Sequence, residues 1–136
     1  IGCSAFTDNP DFKEVIRPLL VTYGTDIMRK LDENIWIEKL EKNLPLYFGQ
    51  EIIPIVTDVR YPNEMEWVKK QNGVCVYITR KGVGPANREE KENNSVLKKN
   101  ADFRIMWPTF GDDEVMEKGD PYVRRVMNPI FKTYIK

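Results

Sequence analysis

The sequence predicts an α/β domain built on a parallel sheet, and three features predict it. Ile52 to Val59 and Val74 to Thr79 are short, nearly continuous apolar runs rich in β-branched residues, as strands buried on both faces would be. Between them lies a helical stretch opened by Pro62 and closed by Asn72-Gly73. Strand, helix and strand within about 30 residues make a βαβ unit, whose crossover is right-handed. The chain has 136 residues and no internal repeat, so one domain is expected, burying roughly two-thirds of the surface of its unfolded chain.

Taken in order, Asp8-Asn9-Pro10 offers a cap and a first-turn proline, and Phe12, Val15, Ile16, Leu19, Leu20 and Tyr23 follow at helical spacing. Pro18 should kink this helix, and Gly24 should end or bend it. A second helix begins near Asp32 or Asn34, with Trp36, Ile37, Leu40 and Leu44 on one face, and Pro45 stops it. Pro54 gives up a ladder hydrogen bond, which places the regular first strand from Ile55 onward. Met65, Trp67 and Val68 mark the helix after Pro62. Lys81 to Asn100 is polar, with Gly82, Gly84 and Pro85 at its start, and reads as a mobile loop or lid. Ala101 to Trp107 gives a third strand, and Asp112 to Lys136 one or two amphipathic helices.

Composition excludes several classes of function. Lysine plus arginine and aspartate plus glutamate number 21 each, so no general electrostatic grip on nucleic acid is expected. Cys3 and Cys75 have neither metal-ligand spacing nor a disulfide framework, which fits a reducing compartment, with cytoplasm the default. No apolar run reaches the roughly 20 residues of a membrane span. The absence of histidine removes Ser-His-Asp and Cys-His catalysis, histidine metal sites and an imidazole shuttle together.

What remains for chemistry is carboxylates, arginines, lysines and backbone. Ile55-Val56-Thr57-Asp58-Val59-Arg60-Tyr61-Pro62-Asn63-Glu64 puts an acid and a base at the carboxyl end of a strand, where ligands bind in open α/β sheets. Asp58 there suits a hydrated metal ion and Arg60 a pair of phosphate oxygens. The competing account is an Asp58 that caps the next turn and an Arg60 on the solvated rim. Arg17, Arg29, Arg80, Arg88 and Arg104 also sit near expected element ends or the loop, whereas Arg124 and Arg125 read as solvated helix charges. Tyr23-Gly24-Thr25-Asp26 with Arg29 can present polar groups to a small ligand, or can simply be a glycine bend with a new cap at Thr25. No Gly-x-x-x-x-Gly-Lys-Ser/Thr loop occurs in these residues.

These segments together resemble the phage-type deoxynucleoside monophosphate kinases of the P-loop fold. The resemblance runs from about Phe12 to Asn128. It is carried by Ile16-Arg17-Pro18-Leu19-Leu20-Val21-Thr22-Tyr23-Gly24-Thr25-Asp26, by Trp36, by Ile55 to Glu64, and by Asn100-Ala101-Asp102-Phe103 with Trp107-Pro108-Thr109. It implies a three-layer parallel sheet and ATP-dependent phosphoryl transfer to a nucleoside monophosphate. Asp58 matches the acid that ends the Walker B strand and holds Mg²⁺ through water, and Arg60 the arginine expected on the substrate or transferring phosphate. Arg17, Tyr23, Asp26 and Arg29 match the monophosphate-binding helices, and Arg80 and Arg88 the strand end and lid that neutralise the transition state. The family opens with a strand, P-loop and helix, and this sequence begins after them. The expectation is therefore an N-terminally truncated domain over residues 1–136, with ATP and Mg²⁺ binding restored only with the missing loop. Asn87 to Ser95 also lacks the family's histidine-containing lid pattern. Two functions follow: a nucleotide kinase in the intact protein, acting alone or as a homodimer, or a non-catalytic module that binds a nucleotide or a protein through the same cleft.

Overall fold

A computed structural model of the chain describes residues 9–44, 53–85, 88–111 and 114–134. Two compact units divide at Ile55 and Val56.

The first unit is helical. Helix α1 (Pro10–Val21) starts where the sequence indicates: the Asn9 side chain accepts hydrogen bonds from the Asp11 and Phe12 amides at 2.9 and 3.4 Å, and Pro10 occupies the first turn, where its missing N–H costs nothing. Gly24, expected to end or bend the helix, does not end it. The chain instead widens into a π-helical segment (Thr22–Arg29), so Thr25 is not a new cap. The Gly24 carbonyl takes the Trp36 indole N–H at 3.2 Å, which ties this segment to α2 (Ile35–Glu41). Before α2, Asp32 accepts from the Asn34 amide at 2.8 Å. Ile16, Ile37 and Leu44 are the buried hydrophobic side chains among the described residues of this unit. The expected stop at Pro45 lies outside the described residues.

In the second unit the expected three-layer sheet is reduced to a small, two-stranded parallel one in a mostly helical α/β arrangement. Strand β1 (Val76–Arg80) pairs with β2 (Phe103–Trp107), Val76 opposite Phe103 and Arg80 opposite Trp107. The expected first strand is not formed: Ile55 to Val59 makes no ladder among the described residues, and Ile55 and Val56 are exposed. A β-branched run becomes a strand only where a neighbour supplies ladder hydrogen bonds, and among the described residues none does so here. Helix α3 (Pro62–Lys70) follows this run and ends at Asn72-Gly73 as expected. Asn72 takes φ 58°, and the Gly73 amide donates to the Val68 carbonyl at 2.9 Å. A Cβ on Gly73 would lie 2.8 Å from that carbonyl oxygen, so only glycine fits.

A second correction concerns Lys81 to Asn100. Its later part is helix α4 (Arg88–Asn100), not a loop, and it makes the strand–helix–strand unit β1–α4–β2. Glu89 and Glu90 in its first turn and Lys98 and Lys99 in its last complement the helix dipole, and Arg88 pairs with Glu92 one turn on. Leu97 is buried with Met65 of α3 and Cys75, and Val59, Val68, Tyr77 and Ala101 pack around them. The Tyr77 hydroxyl donates to Asn94, and Arg104 Nε donates to the Lys98 carbonyl at 2.9 Å. Beyond β2 the chain forms a short π-turn (Val115–Gly119) and α5 (Asp120–Tyr134). Trp107, Phe110 and Tyr122 meet edge to face, with centroids 5.5 to 6.2 Å apart. No helix among the described residues is long and apolar enough to cross a membrane.

Asp102 ties these pieces together. Its Oδ2 accepts from the Cys75 amide at 2.8 Å and its Oδ1 from Lys69 Nζ at 3.0 Å, while its own amide donates to the Cys75 carbonyl at 2.9 Å. Burial pushes the Asp102 carboxyl up, but the Cys75 amide and the Lys69 ammonium together bring it below the usual carboxylate range. Burial pushes the neighbouring Cys75 thiol up, so it stays protonated as a core side chain. Asp102→Ala should cost about 1–3 kcal/mol in urea unfolding at neutral pH, because the Cys75 amide loses its acceptor. A carboxyl depressed in the folded state contributes stability that is complete above its unfolded value and fades as pH falls through the folded one. The gap between variant and wild type should therefore shrink below about pH 4. A gap unchanged by acid would show that the charge of Asp102 contributes nothing.

Candidate functional site

The Asp58 to Glu64 turn is organised by the start of α3. Pro62 fixes the first helical φ, and Glu64, two residues on, reaches back so that its Oε2 accepts from the Arg60 amide at 2.8 Å and the Tyr61 amide at 3.1 Å. With the backbone of Arg60 fixed, its guanidinium reaches two carboxylates. Nε donates to Asp58 Oδ1 at 2.6 Å, and Nη1 lies 3.0 Å from Glu90 Oε1 of α4. The Asp58 hydrogen bond raises the Arg60 pKa, so the guanidinium remains charged at every relevant pH. Helix α4 also grips the same turn through Glu89, which accepts from the Tyr61 hydroxyl at 2.6 Å, and through Asn93, whose Nδ2 donates to the Arg60 carbonyl at 3.4 Å.

Asp58 and Arg60 are thus brought together, as the sequence indicates, but on an irregular turn before a helix instead of at a strand end. Both are solvent-exposed, with 69 and 48% of their side-chain surfaces accessible. A pair this exposed contributes at most about 1 kcal/mol, so the fold gains little from it. Arg80 stands elsewhere, at the carboxyl end of β1, where its Nε donates to Thr109 Oγ1 at 3.2 Å. Arg88 points into solvent, paired with Glu92 at 2.7 Å. Neither makes a hydrogen bond or ion pair with Asp58 or Arg60 among the described residues. In the first unit, Arg17 pairs with Glu14 at 3.5 Å and Asp26 with Lys30 at 3.9 Å, Tyr23 is exposed, and Arg29 is half-buried at the end of the π-helical segment.

Glu64, Glu89, Glu90 and Asn93 carry the site's geometry and were given no role by the sequence reading. Glu64 had a local signal, since an acid at the third position of a proline-initiated helix is a cap. Glu89, Glu90 and Asn93 had none, because they reach Arg60 and Tyr61 only through the docking of α4. A shallow groove of about 250 Å³ lies between α3 and α4, lined by Pro62, Met65, Glu66, Lys69, Val96 and Asn100, and includes none of the sequence-predicted residues. No group of three or more acidic or thiol side chains able to hold a metal occurs among the described residues.

The turn, its acid and base, and the helix it opens lie within a span that matches a known family. A family model described as deoxynucleotide monophosphate kinase matches residues 4–103, about three-quarters of the chain, and the chain belongs to that family. No curated protein and no solved structure matches it.

If Glu64 sets the turn, Glu64→Ala should destabilise the second unit by about 1 kcal/mol, and Glu64→Gln, which keeps an acceptor, by less. Thermal melts of the two variants check this. Equal losses would mean that charge, not the cap geometry, holds Arg60 in place.

Proposed function

We propose that the intact protein is an ATP-dependent deoxynucleoside monophosphate kinase and that the Asp58–Arg60 turn serves its reacting phosphates. Family membership over residues 4–103 supports the reaction class. The observation that carries the site is the capped turn that holds Asp58 Oδ1 and Arg60 Nε 2.6 Å apart in the open. Arg60 is the donor to an acceptor or transferring phosphate, which its planar fork can bind bidentately. Asp58 is the metal ligand through water. One carboxylate with one committed oxygen fits that task, since Mg²⁺ keeps several waters and takes few protein ligands. When bound, Mg²⁺ neutralises charge on the phosphates. The acceptor is already an ionised phosphate, so the residues position and neutralise, and no general base is needed. The lack of histidine is compatible with this chemistry. Arg17, Tyr23, Asp26 and Arg29 are proposed for the monophosphate, and Arg80 and Arg88 for charge developing in transfer.

The second reading, a module that binds nucleotide or protein without catalysis, draws on one observation. No Gly-x-x-x-x-Gly-Lys-Ser/Thr sequence occurs within these 136 residues.

Two measurements separate the readings. In the full-length gene product, Asp58→Asn should lower kcat by at least about tenfold and change the KM for the monophosphate by less than about threefold, because metal charge acts on the transition state preferentially. Unchanged turnover would end the metal-ligand assignment. The 136 residues alone should transfer no phosphate from ATP, since scattered arginines do not replace the preorganised amides of a phosphate loop. Magnesium-dependent kinase activity in that sample would require a donor site other than the one expected.

A further inference from the structure

A guanidinium offers phosphate two pairs of parallel N–H groups, Nε with Nη2 and Nη1 with Nη2. In this structure each pair has one member taken: Asp58 Oδ1 holds Nε at 2.6 Å and Glu90 Oε1 holds Nη1 at 3.0 Å. Each pair thus contains a nitrogen that already faces a carboxylate. We propose that Glu90 is a built-in competitor for Arg60, which the phosphate of the acceptor nucleotide displaces, so that nucleotide binding releases the first turn of α4 from the Asp58–Arg60 turn. The inference rests on the reading of Arg60 as a phosphate ligand.

Three features support it. Of the two carboxylates, Glu90 is the less hydrated, 22% accessible against 69% for Asp58, so its attraction for Arg60 is the less screened by water. Asp58, Glu64, Glu89 and Glu90 all contact Arg60 or Tyr61, so a phosphate dianion reaching Arg60 meets carboxylates close by, and withdrawal of one of them would ease its approach. The grip of α4 is also divided. Glu89, Glu90 and Asn93 hold the turn, whereas Leu97 in the core and Asn94 on Tyr77 anchor the helix further along. The first turn can therefore part from Arg60 while the second half of α4 stays docked.

The test is calorimetric titration of the full chain with each of dAMP, dCMP, dGMP and dTMP, in wild type, Glu90→Gln, Arg60→Gln and the double variant. Glu90→Gln should tighten binding of the preferred monophosphate about two- to fivefold, the range expected for losing one partly exposed ion pair. Arg60→Gln should weaken binding, and the double variant should lose the gain. Hydrogen exchange supplies a readout that a merely structural Glu90 would not give: in wild type, nucleotide should speed exchange of the amides from Glu89 to Asn93 and leave Leu97 to Asn100 unchanged. Unaltered or weaker binding by Glu90→Gln, with Arg60→Gln impaired, overturns the competition and leaves Arg60 as a phosphate ligand. An unimpaired Arg60→Gln overturns both ideas. Binding detected only in Glu90→Gln supports the competition, and binding in neither protein overturns it.

Discussion

The second unit depends on Asp102. One carboxylate and its own amide join the end of α3 through Lys69, the approach to β1 through Cys75, and the turn from α4 into β2. Among the described residues the buried apolar cluster consists of Met65, Cys75 and Leu97, too little to specify by hydrophobic burial alone how two helices meet a two-stranded sheet. Directional hydrogen bonds supply that specification. Because the Cys75 amide and carbonyl are both used by Asp102 and Phe103, the register of β1 against β2 is set before the first ladder pair, Val76 with Phe103.

That constraint reaches the candidate site through α4. The helix leaves β1 and must return to β2 at Asp102, which places Leu97 in the core and turns the face bearing Glu89, Glu90 and Asn93 toward Arg60 and Tyr61. The side chains that determine the charge around Arg60 are therefore positioned by a clamp at the other end of the same helix. The Asp58–Arg60 pair itself is exposed and contributes little to folding, so its geometry is available to ligand chemistry without a large cost in stability.

Much of the local architecture was legible because it is written in capping and turn residues. Asn9-Pro10, Pro62 and Asn72-Gly73 each act through neighbours within a few positions, and each forms where the sequence indicates. Two errors share a cause, the use of composition where partners decide. Ile55 to Val59 has the residues of a strand and pairs with no strand among the described residues. Arg88 to Asn100 has the charge of a loop, yet its charges lie along a solvated helix with Leu97 as the buried anchor. Gly24 misled in another way: glycine permits a break but does not require one, and the Trp36 indole holds its carbonyl within a continuous widened helix. The contact of Asp58 with Arg60 joins positions two apart, whereas the contacts of Glu90 and Asn93 with Arg60 join positions about 30 residues apart and leave no local pattern.

The balance of charge around Arg60 links architecture to chemistry. An arginine intended only to stabilise its turn would need one carboxylate partner, and Asp58 supplies it two residues away without help from another helix. Glu90 adds a second partner and brings a further carboxylate close to those of Asp58, Glu64 and Glu89. In a phosphoryl-transfer site the same crowding has a use. If Arg60 is the phosphate ligand proposed above, its contacts with Asp58 and Glu90 keep it charged, hydrogen-bonded and aimed, and a phosphate would exchange with a carboxylate instead of recruiting a disordered side chain. Less side-chain entropy then remains to be lost on binding, and selectivity shifts toward ligands with enough negative charge to displace Glu90.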